Sequence, residues 1–515
     1  MGDVDLCLRS ATELAALVRS RELRAAELLA AHLEQIERLN PRVNAICTLD
    51  AEGAAAAAAR VDEELAAGAE PGPLAGLPVA VKDLVDVAGL PTTRGSPLYR
   101  DAVAEHDDLM VARMRAAGAV IVGKSNVPEF GAGSHTFNTV FGVTRNPYDL
   151  ARSAGGSSGG GAAALASGMV ALADGSDYGG SIRNPPNFNS VVGLRTTPGR
   201  VPRVPAGAAP GGDPWETLSV TGPMGRTVAD AALLLSVIAG PDRRDPISIL
   251  EPGAPFAHVA ARDLTGCRVA YSRDLGMLPV EPAVTDAIDR AIPLLVDLGC
   301  IVEETHPDLS GGAEAFDTIR ALRFAADHAA TLRDHRDQLK DTVIWNIERG
   351  LALTTDQVVR AHQLRAEQFM RMSAFLERFE VLILPVSQVL PFPVEVDWPR
   401  SVNGVPMATY IDWMQSCSLI TMTSHPALSL PCGFTPEGLP VGAQIVGRYR
   451  GEADLLAFAA AWEAALAVSS RRPTLASLDS LFGTDRGRIK VVGDIIEPID
   501  VEWEALREDA GDAGA

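Results

Sequence analysis

Apolar positions over the first 70 residues recur every three or four residues, the period of a helix with one buried face. Leu14, Leu17 and Val18 follow Ser10-Ala-Thr-Glu13, whose serine and glutamate can cap each other's free backbone N–H groups. A second stripe, Leu28, Leu29, Leu33 and Ile36, is expected to end at Asn40-Pro41, since proline offers no N–H to a further turn. The run Ala54 to Ala59 leads into Val61 and Leu65 as a third helix, because alanine loses no side-chain entropy there. From residue 74 the pattern changes to short apolar runs between Gly and Pro, Leu77 to Val81 and Val120 to Val122, with a helical pattern from Leu109 to Ala117 between them. That alternation predicts an α/β architecture with a largely buried sheet. Between about 245 and 400 the chain turns more charged and helical. Ala283 to Leu298, Ala313 to Lys340 and Asp356 to Phe379 read as helices, with strand-like pieces at Arg268 to Tyr271 and Val381 to Leu384. Short apolar runs bounded by Gly and Pro return in Ala427 to Pro431 and Pro440 to Val446, and a last helix is expected from Glu452 to about Leu466.

Charge narrows the function classes. Of 515 residues, 66 are acidic and 45 basic, a formal net charge of −21, which argues against a partner bound through phosphate backbones. Eight acidic groups and one arginine fall between Asp494 and Ala515, so residues 471–515 read as an acidic extension, with Ile489 to Ile499 apolar enough to pack. Six scattered cysteines lack Cys-x-x-Cys spacing and the nine histidines lack a His-Glu-x-x-His pattern; reduced core thiols, a cytoplasmic protein and no metal are expected. The uncharged run Ser153 to Ala173 is crowded with Gly, Ser and Ala, so no membrane span is expected there. The start of the chain has no basic patch followed by an apolar stretch, so no secretory signal is expected. Only four of the 45 basic residues are lysine: Lys82, Lys124, Lys340 and Lys490. Genome composition accounts for most of that bias, but it makes each retained lysine informative.

Two Gly-Ser clusters carry the candidate chemistry: Gly155-Gly-Ser157-Ser158-Gly-Gly-Gly161, and Gly175-Ser176-Asp177-Tyr178-Gly179-Gly180-Ser181-Ile-Arg183. A phosphate loop would need Gly-Lys-Ser/Thr after the glycines, and Ala162 follows Gly161 instead. Gly155-x-Ser157-x-Gly159 matches a nucleophile elbow, a pattern that glycine-rich loops meet by chance; His306, His328, His335, His362 and His425 read as helix caps or solvent-facing residues. The third reading joins both clusters to Lys82. Serine needs a neighbouring base, and lysine becomes one only when burial lowers its pKa, which arginine cannot match. Lys82 follows a predicted buried strand; from charge alone, a base and an ion pair with Asp83 or Asp86 are equally supported.

The motifs Gly76-Leu-Pro-Val-Ala-Val-Lys82-Asp83, Gly123-Lys-Ser-Asn126, Gly155 to Gly160, Asp177 to Pro185, Val192-Gly-Leu194, Gly222-Pro-Met224 and Pro440 to Gln444 resemble the amidase signature family. The resemblance covers roughly residues 5–470, matching only loosely over 245–400. It implies a central mixed β-sheet covered by helices on both faces, in one domain over 1–470. The core of that domain would lie at about 74–240 and resume at about 401–470, with a variable helical region at about 245–400. It also implies a Ser–cis-Ser–Lys triad: Ser181 as nucleophile, Ser157 as bridging serine after a cis bond from Gly156, and Lys82 as base. Backbone N–H groups of Tyr178, Gly179, Gly180 and Ser181 would hold the oxyanion. Ser158 and Ser176 would bond to the relay, Asp177 and Arg183 would fix the turn as a buried pair, Lys124 would be structural, and Phe130 and Tyr178 would line the substrate channel. Asn189-Ser190 departs from a Cys-Gly common in the family, and Tyr178 is bulky for its turn. The implied activity is hydrolysis of a small carboxamide (aliphatic, aryl amide or anilide), without cofactor, membrane or nucleic acid, with a homodimer as the assembly to test. The alternatives are a glutamine-hydrolysing subunit of a transfer-RNA amidotransferase, an ester or carbamate hydrolase, and a non-catalytic binding protein.

Overall fold

Short runs of Val, Ile, Leu and Ala build one 11-stranded sheet. In the computed structural model, which describes residues 6–70, 72–204, 213–468, 471–473 and 475, its strands are β1 (Ile46–Leu49), β2 (Pro78–Lys82), β3 (Val120–Ser125), β4 (Leu172–Asp177), β5 (Val192–Arg195), β6 (Val220–Gly225), β7 (Arg268–Tyr271), β8 (Ile301–Glu304), β9 (Val381–Pro385), β10 (Ala427–Phe434) and β11 (Pro440–Val446). Across the sheet they run β1-β3-β2-β4-β6-β5-β10-β11-β9-β7-β8. The pairs β2–β3, β2–β4, β7–β9 and β7–β8 are parallel and the rest antiparallel, so the sheet is mixed. Every residue of β2 and β3 is buried, which is why these strands carry no polar alternation.

The helices are α1 (Ala11–Arg19), α2 (Ala25–Val43), α3 (Ala51–Ala66), α4 (Leu109–Ala116), α5 (Gly159–Ala166), α6 (Asn184–Asn189), α7 (Val228–Ile238), α8 (Pro282–Asp289), α9 (Ile292–Asp297), α10 (Gly312–His335), α11 (Asp341–Leu351), α12 (Thr355–Leu376), α13 (Gln415–Thr423) and α14 (Glu452–Leu466). The capping box of α1 is present. Three expectations need correction. Helix α2 runs through Pro41 to Val43, because only its last turn forgoes the missing N–H and Asn44 caps the end in the left-handed conformation. Ala283 to Leu298 is two helices, broken where Pro293 restarts the chain in the first turn of α9. The helical 245–400 segment supplies three strands of the same sheet, one of them, β8, unmarked by its charged sequence. Among the described residues no helix is long and apolar enough to cross a membrane. The acidic extension, with Ile489 to Ile499 and Lys490, lies outside the described residues apart from 471–473 and 475.

Two features of this frame position the chemistry. Because β2 and β4 are parallel neighbours, Lys82 and Ser176 emerge at the same edge, where open α/β sheets place their sites. The first Gly-Ser cluster leads directly into α5, whose glycines let it pack against the backbone below. A Cβ on Gly160 would lie 2.3 Å from the Asn126 amide nitrogen and 2.6 Å from the Ala45 carbonyl oxygen. Helix propensity favours alanine there by about 1 kcal/mol, but a collision with backbone outweighs it. Gly160→Ala is therefore expected to lose about 1 kcal/mol or more of stability, read as a lower thermal midpoint; an unchanged midpoint would refute this packing account.

Candidate active site

Lys82 ends β2 with its side chain fully buried, and its neighbours are hydroxyls and a carbonyl. Its Nζ donates to Ser157 Oγ and Ser158 Oγ at 2.8 Å, to Ser176 Oγ at 3.0 Å and to the Ser176 carbonyl at 3.2 Å. Burial lowers its pKa to about 7, against the opposing pull of the Asp174 and Asp177 carboxylates. Among the described residues no carboxylate pairs with Lys82. Asp83 is taken by Lys124, whose Nζ lies 3.1 Å from Asp83 Oδ1 and bonds also to Thr92 Oγ1 and the Pro91 carbonyl. The ion-pair alternative for Lys82 thus fails on geometry, and Lys124 is a buried structural lysine. Lys340 departs from the outer position its charged segment suggests: its ammonium stands 4.0 Å over the Phe137 ring and its amide donates to Glu129.

The peptide between Gly156 and Ser157 is cis. The segment around it is held by Ser134 Oγ donating to the Gly156 carbonyl, Thr136 Oγ1 to the Gly155 carbonyl, and Asn189 Nδ2 to the Ala154 carbonyl. Asn189 thereby ties α6 to the first cluster. Ser190 beside it closes α6 with φ 52°, a left-handed conformation in which glycine would carry no Cβ penalty. Neither Ser157 nor Ser158 bonds to a histidine, and the elbow reading has no base.

The second cluster turns around Asp177. Its carboxylate accepts from the Gly180 amide at 2.9 Å and the Ile182 amide at 3.0 Å, and from Arg183 Nε at 3.0 Å and Nη2 at 2.8 Å. Arg195 Nη1 joins at 3.1 Å and also reaches the Asp177 carbonyl. Burial alone would raise the Asp177 carboxyl, but the two guanidiniums hold it far below the usual carboxylate range. Arg183 continues to Gln444 Oε1 at 2.6 Å and to the Cys417 carbonyl at 2.9 Å, so the turn is anchored to β11 and α13. Arg195 was not legible as a partner, since it is 18 residues from Asp177 on another strand. Gly180 has φ 121°, and a Cβ there would meet Cys417 Cβ at 2.7 Å, so only glycine fits. The expected donor set also narrows. The Gly180 amide is already committed to Asp177.

A cavity of about 150 Å³ brings Ser157, Ser176 and Ser181 together with Phe130, Tyr178, Phe324 and His328. Phe130 and Tyr178 are both among the residues that line this cavity. His328 is a correction to the solvent-facing expectation: its ring lies 4.5 Å from Phe130, and burial lowers its pKa to about 4. Tyr178 stands edge-on to Phe316 at 5.8 Å. Arg203, Glu216, Arg320, Arg323 and Asp327 complete much of the lining, and sequence reasoning did not single them out, because they are far apart in the chain and share no motif.

A family model for amidases matches residues 27–456. The chain belongs to the amidase signature family. As such it is a hydrolase of amide bonds, and the fold expectation of a large mixed sheet with helices holds. The chain is 35% identical over 477 residues to an acylamidase of Rhodococcus erythropolis, covering 92% of this chain and 98% of that one. It is 37% identical over 493 residues to a glutamyl-tRNA(Gln) amidotransferase subunit of Acidothermus cellulolyticus, covering 90% and 95%. Among solved structures, a bacterial aryl acylamidase of the amidase signature enzymes superposes with a TM-score of 0.83 at 30% identity, covering 90% of this chain and 99% of that one. The peptide amidase of Stenotrophomonas maltophilia follows at 0.72 and 28%, covering 90% and 98%.

In this amidase signature chain Asp177 neutralises two buried arginines. Removing its charge leaves both unpaired, a change that typically costs about 3–5 kcal/mol. Asp177→Asn is expected to lower the thermal midpoint by several degrees; an unchanged midpoint would show that the turn does not depend on this carboxylate.

Proposed function

We propose that the protein hydrolyses a small carboxamide through an acyl-enzyme on Ser181, with Ser157 as proton bridge and Lys82 as base. The observation that carries this reading is the environment of Lys82. A neutral amine has two N–H groups and one lone pair. The Ser176 carbonyl can only accept, so it takes an N–H, and the lone pair is left for a hydroxyl proton such as that of Ser157. With no carboxylate to hold the ammonium, the neutral form is within reach near pH 7.

The steps follow from that arrangement. Lys82 Nζ takes the proton of the Ser157 hydroxyl as Ser157 Oγ takes the proton of Ser181, and Ser181 Oγ bonds to the amide carbon. Amides of Tyr178, Gly179 and Ser181 are the donors for the developing oxyanion; one such donor is typically worth about a hundredfold in rate. The relay then returns a proton to the nitrogen as the C–N bond breaks, and the amine leaves. Water attacks the ester by the same path and releases the acid. The acylamidase and aryl acylamidase relatives support aliphatic or aryl acyl amides as the substrate class. The identity to the glutamyl-tRNA(Gln) amidotransferase subunit favours one second reading, a glutaminase that passes ammonia to a partner chain. Free-standing turnover of anilides with no partner-stimulated glutaminase activity separates the first from the second. The buried thiols of Cys267, Cys300, Cys417 and Cys432, which form no disulfide among the described residues, support a reducing compartment, the cytoplasm.

Two measurements test the mechanism. Lys82→Met is expected to lower kcat/KM by roughly a hundredfold to ten-thousandfold, and Ser181→Ala to abolish both turnover and fluorophosphonate labelling. Because Lys82 is protonated below about pH 7, kcat/KM should rise roughly tenfold per pH unit well below that value and level off above it. A flat profile from about pH 5 to 9, with chemistry rate-limiting, would remove Lys82 from the role of base.

A further inference from the structure

The cavity that holds the serines is also lined by Arg320, a buried guanidinium that has no ion-pair partner among the described residues. Three arginines and two carboxylates line it: Arg203, Arg320, Arg323, Glu216 and Asp327. Both carboxylates flank Arg323, which lies 2.7 Å from Asp327 and 3.7 Å from Glu216, and both also offset the charge of Arg203. Arg320 is only 5% exposed and forms no ion pair with any described residue. Its nearest helical acid, Asp317, is engaged by Arg349 at 3.3 Å. One guanidinium nitrogen, Nη2, donates to the Tyr410 hydroxyl at 2.7 Å, while Nε is buried with no acceptor. The rings of Phe324, Tyr410 and Tyr178 stand 4.6, 5.7 and 5.8 Å from its central carbon, and these fix the planar group without neutralising it. A buried guanidinium left with unused donors is costly unless something accepts from them. The remaining partner is the occupant of the cavity.

We propose that the substrate is an amide bearing a carboxylate, and that Arg320 receives this carboxylate while Ser181 attacks the amide carbon. This rests on the hydrolase reading above and narrows its substrate class. A planar carboxylate matches the two-pronged donor geometry of a guanidinium. The aromatic lining, Phe130, Tyr178, Phe324 and His328, suits a flat hydrocarbon body between the amide and the acid. The positive charge also has a consequence for product. Hydrolysis generates a second carboxylate on the acyl side, so an acid on the acyl fragment would give a dianionic product, whereas an acid on the amine fragment would leave with the amine.

Matched amides test the proposal. One pair places the acid on the acyl side, succinyl 4-nitroanilide against butyryl 4-nitroanilide; the other places it on the amine side, 4-acetamidobenzoate against acetanilide. In at least one pair the acidic member is expected to have the higher kcat/KM by about thirtyfold or more. That ratio should collapse towards one in Arg320→Gln and persist in part in Arg320→Lys, which keeps the charge without the fork. Equal or better use of the neutral member in both pairs, or a preference undiminished in Arg320→Gln, overturns the proposal. Binding of the same four compounds to Ser181→Ala by calorimetry reads the preference without turnover. An enzyme that cleaves only neutral amides would refute the anion site alone, whereas an enzyme that cleaves none, unlabelled at Ser181 yet binding the acids through Arg320, would refute the hydrolase reading alone.

Discussion

An amine buried among hydroxyls, with no carboxylate in ion-pair reach among the described residues, is the constraint around which this molecule is arranged. A lysine at the end of a fully buried strand would ordinarily be matched by an acid, since an isolated charge in the interior is expensive. Here the acid next to it in sequence, Asp83, turns to Lys124, and Asp177 is saturated by Arg183, Arg195 and two amides. Asp174 spends one oxygen on the Lys82 backbone amide, and burial raises its own pKa to about 6. Among the described residues none of these carboxylates forms an ion pair with Lys82 Nζ, although the charges of Asp174 and Asp177 still favour its protonated form. The result is an amine whose proton is held more loosely than an exposed lysine's, because burial outweighs that pull.

The sheet supplies the rest of that arrangement. Parallel pairing of β2 with β4 brings Lys82 and Ser176 to one edge, and the close approach of α5 to the backbone at Asn126 brings Ser157 and Ser158 over the same edge. The turn after β4 is fixed from three directions: by Asp177 within the turn, by Arg195 from β5, and by Gln444 of β11 through Arg183. Strands from residues 46 to 446 thus converge on a few hydroxyl groups. Replacing any anchor disturbs the geometry of a turn whose own residues are untouched.

Much of this was legible from residue patterns, for identifiable reasons. Buried strands such as Val120 to Val122 have short apolar runs bounded by glycine, and capped helices such as α1 carry their signal locally. The Gly-Ser clusters were visible because close backbone approach demands glycine in consecutive positions. What escaped is what depends on distance in the chain. Strand β8, Ile301-Val-Glu-Glu304, reads as a charged fragment until β7 beside it gives it a partner. Helix α2 passes Pro41 because one lost hydrogen bond in a last turn is tolerable. Arg195 and Arg320 have no motif at all; each is recognised only by what stands, or fails to stand, around it. The same contrast bears on Lys82, for which sequence supports a base and an ion pair equally, and whose neighbouring acid Asp83 pairs with Lys124 instead.

The separation of chain segments around the cavity has an evolutionary consequence. The cluster of one amine and four serine hydroxyls comes from residues 82, 157, 158, 176 and 181, all within the first 200 residues. Much of the opposite wall comes from one helix, α10, which presents Arg320, Arg323, Phe324, Asp327 and His328. Substitutions along that single helix can reshape the cavity without touching the cluster around Lys82. A lineage built this way can exchange one diet for another by drift in a short stretch of chain while its reactive machinery stays fixed.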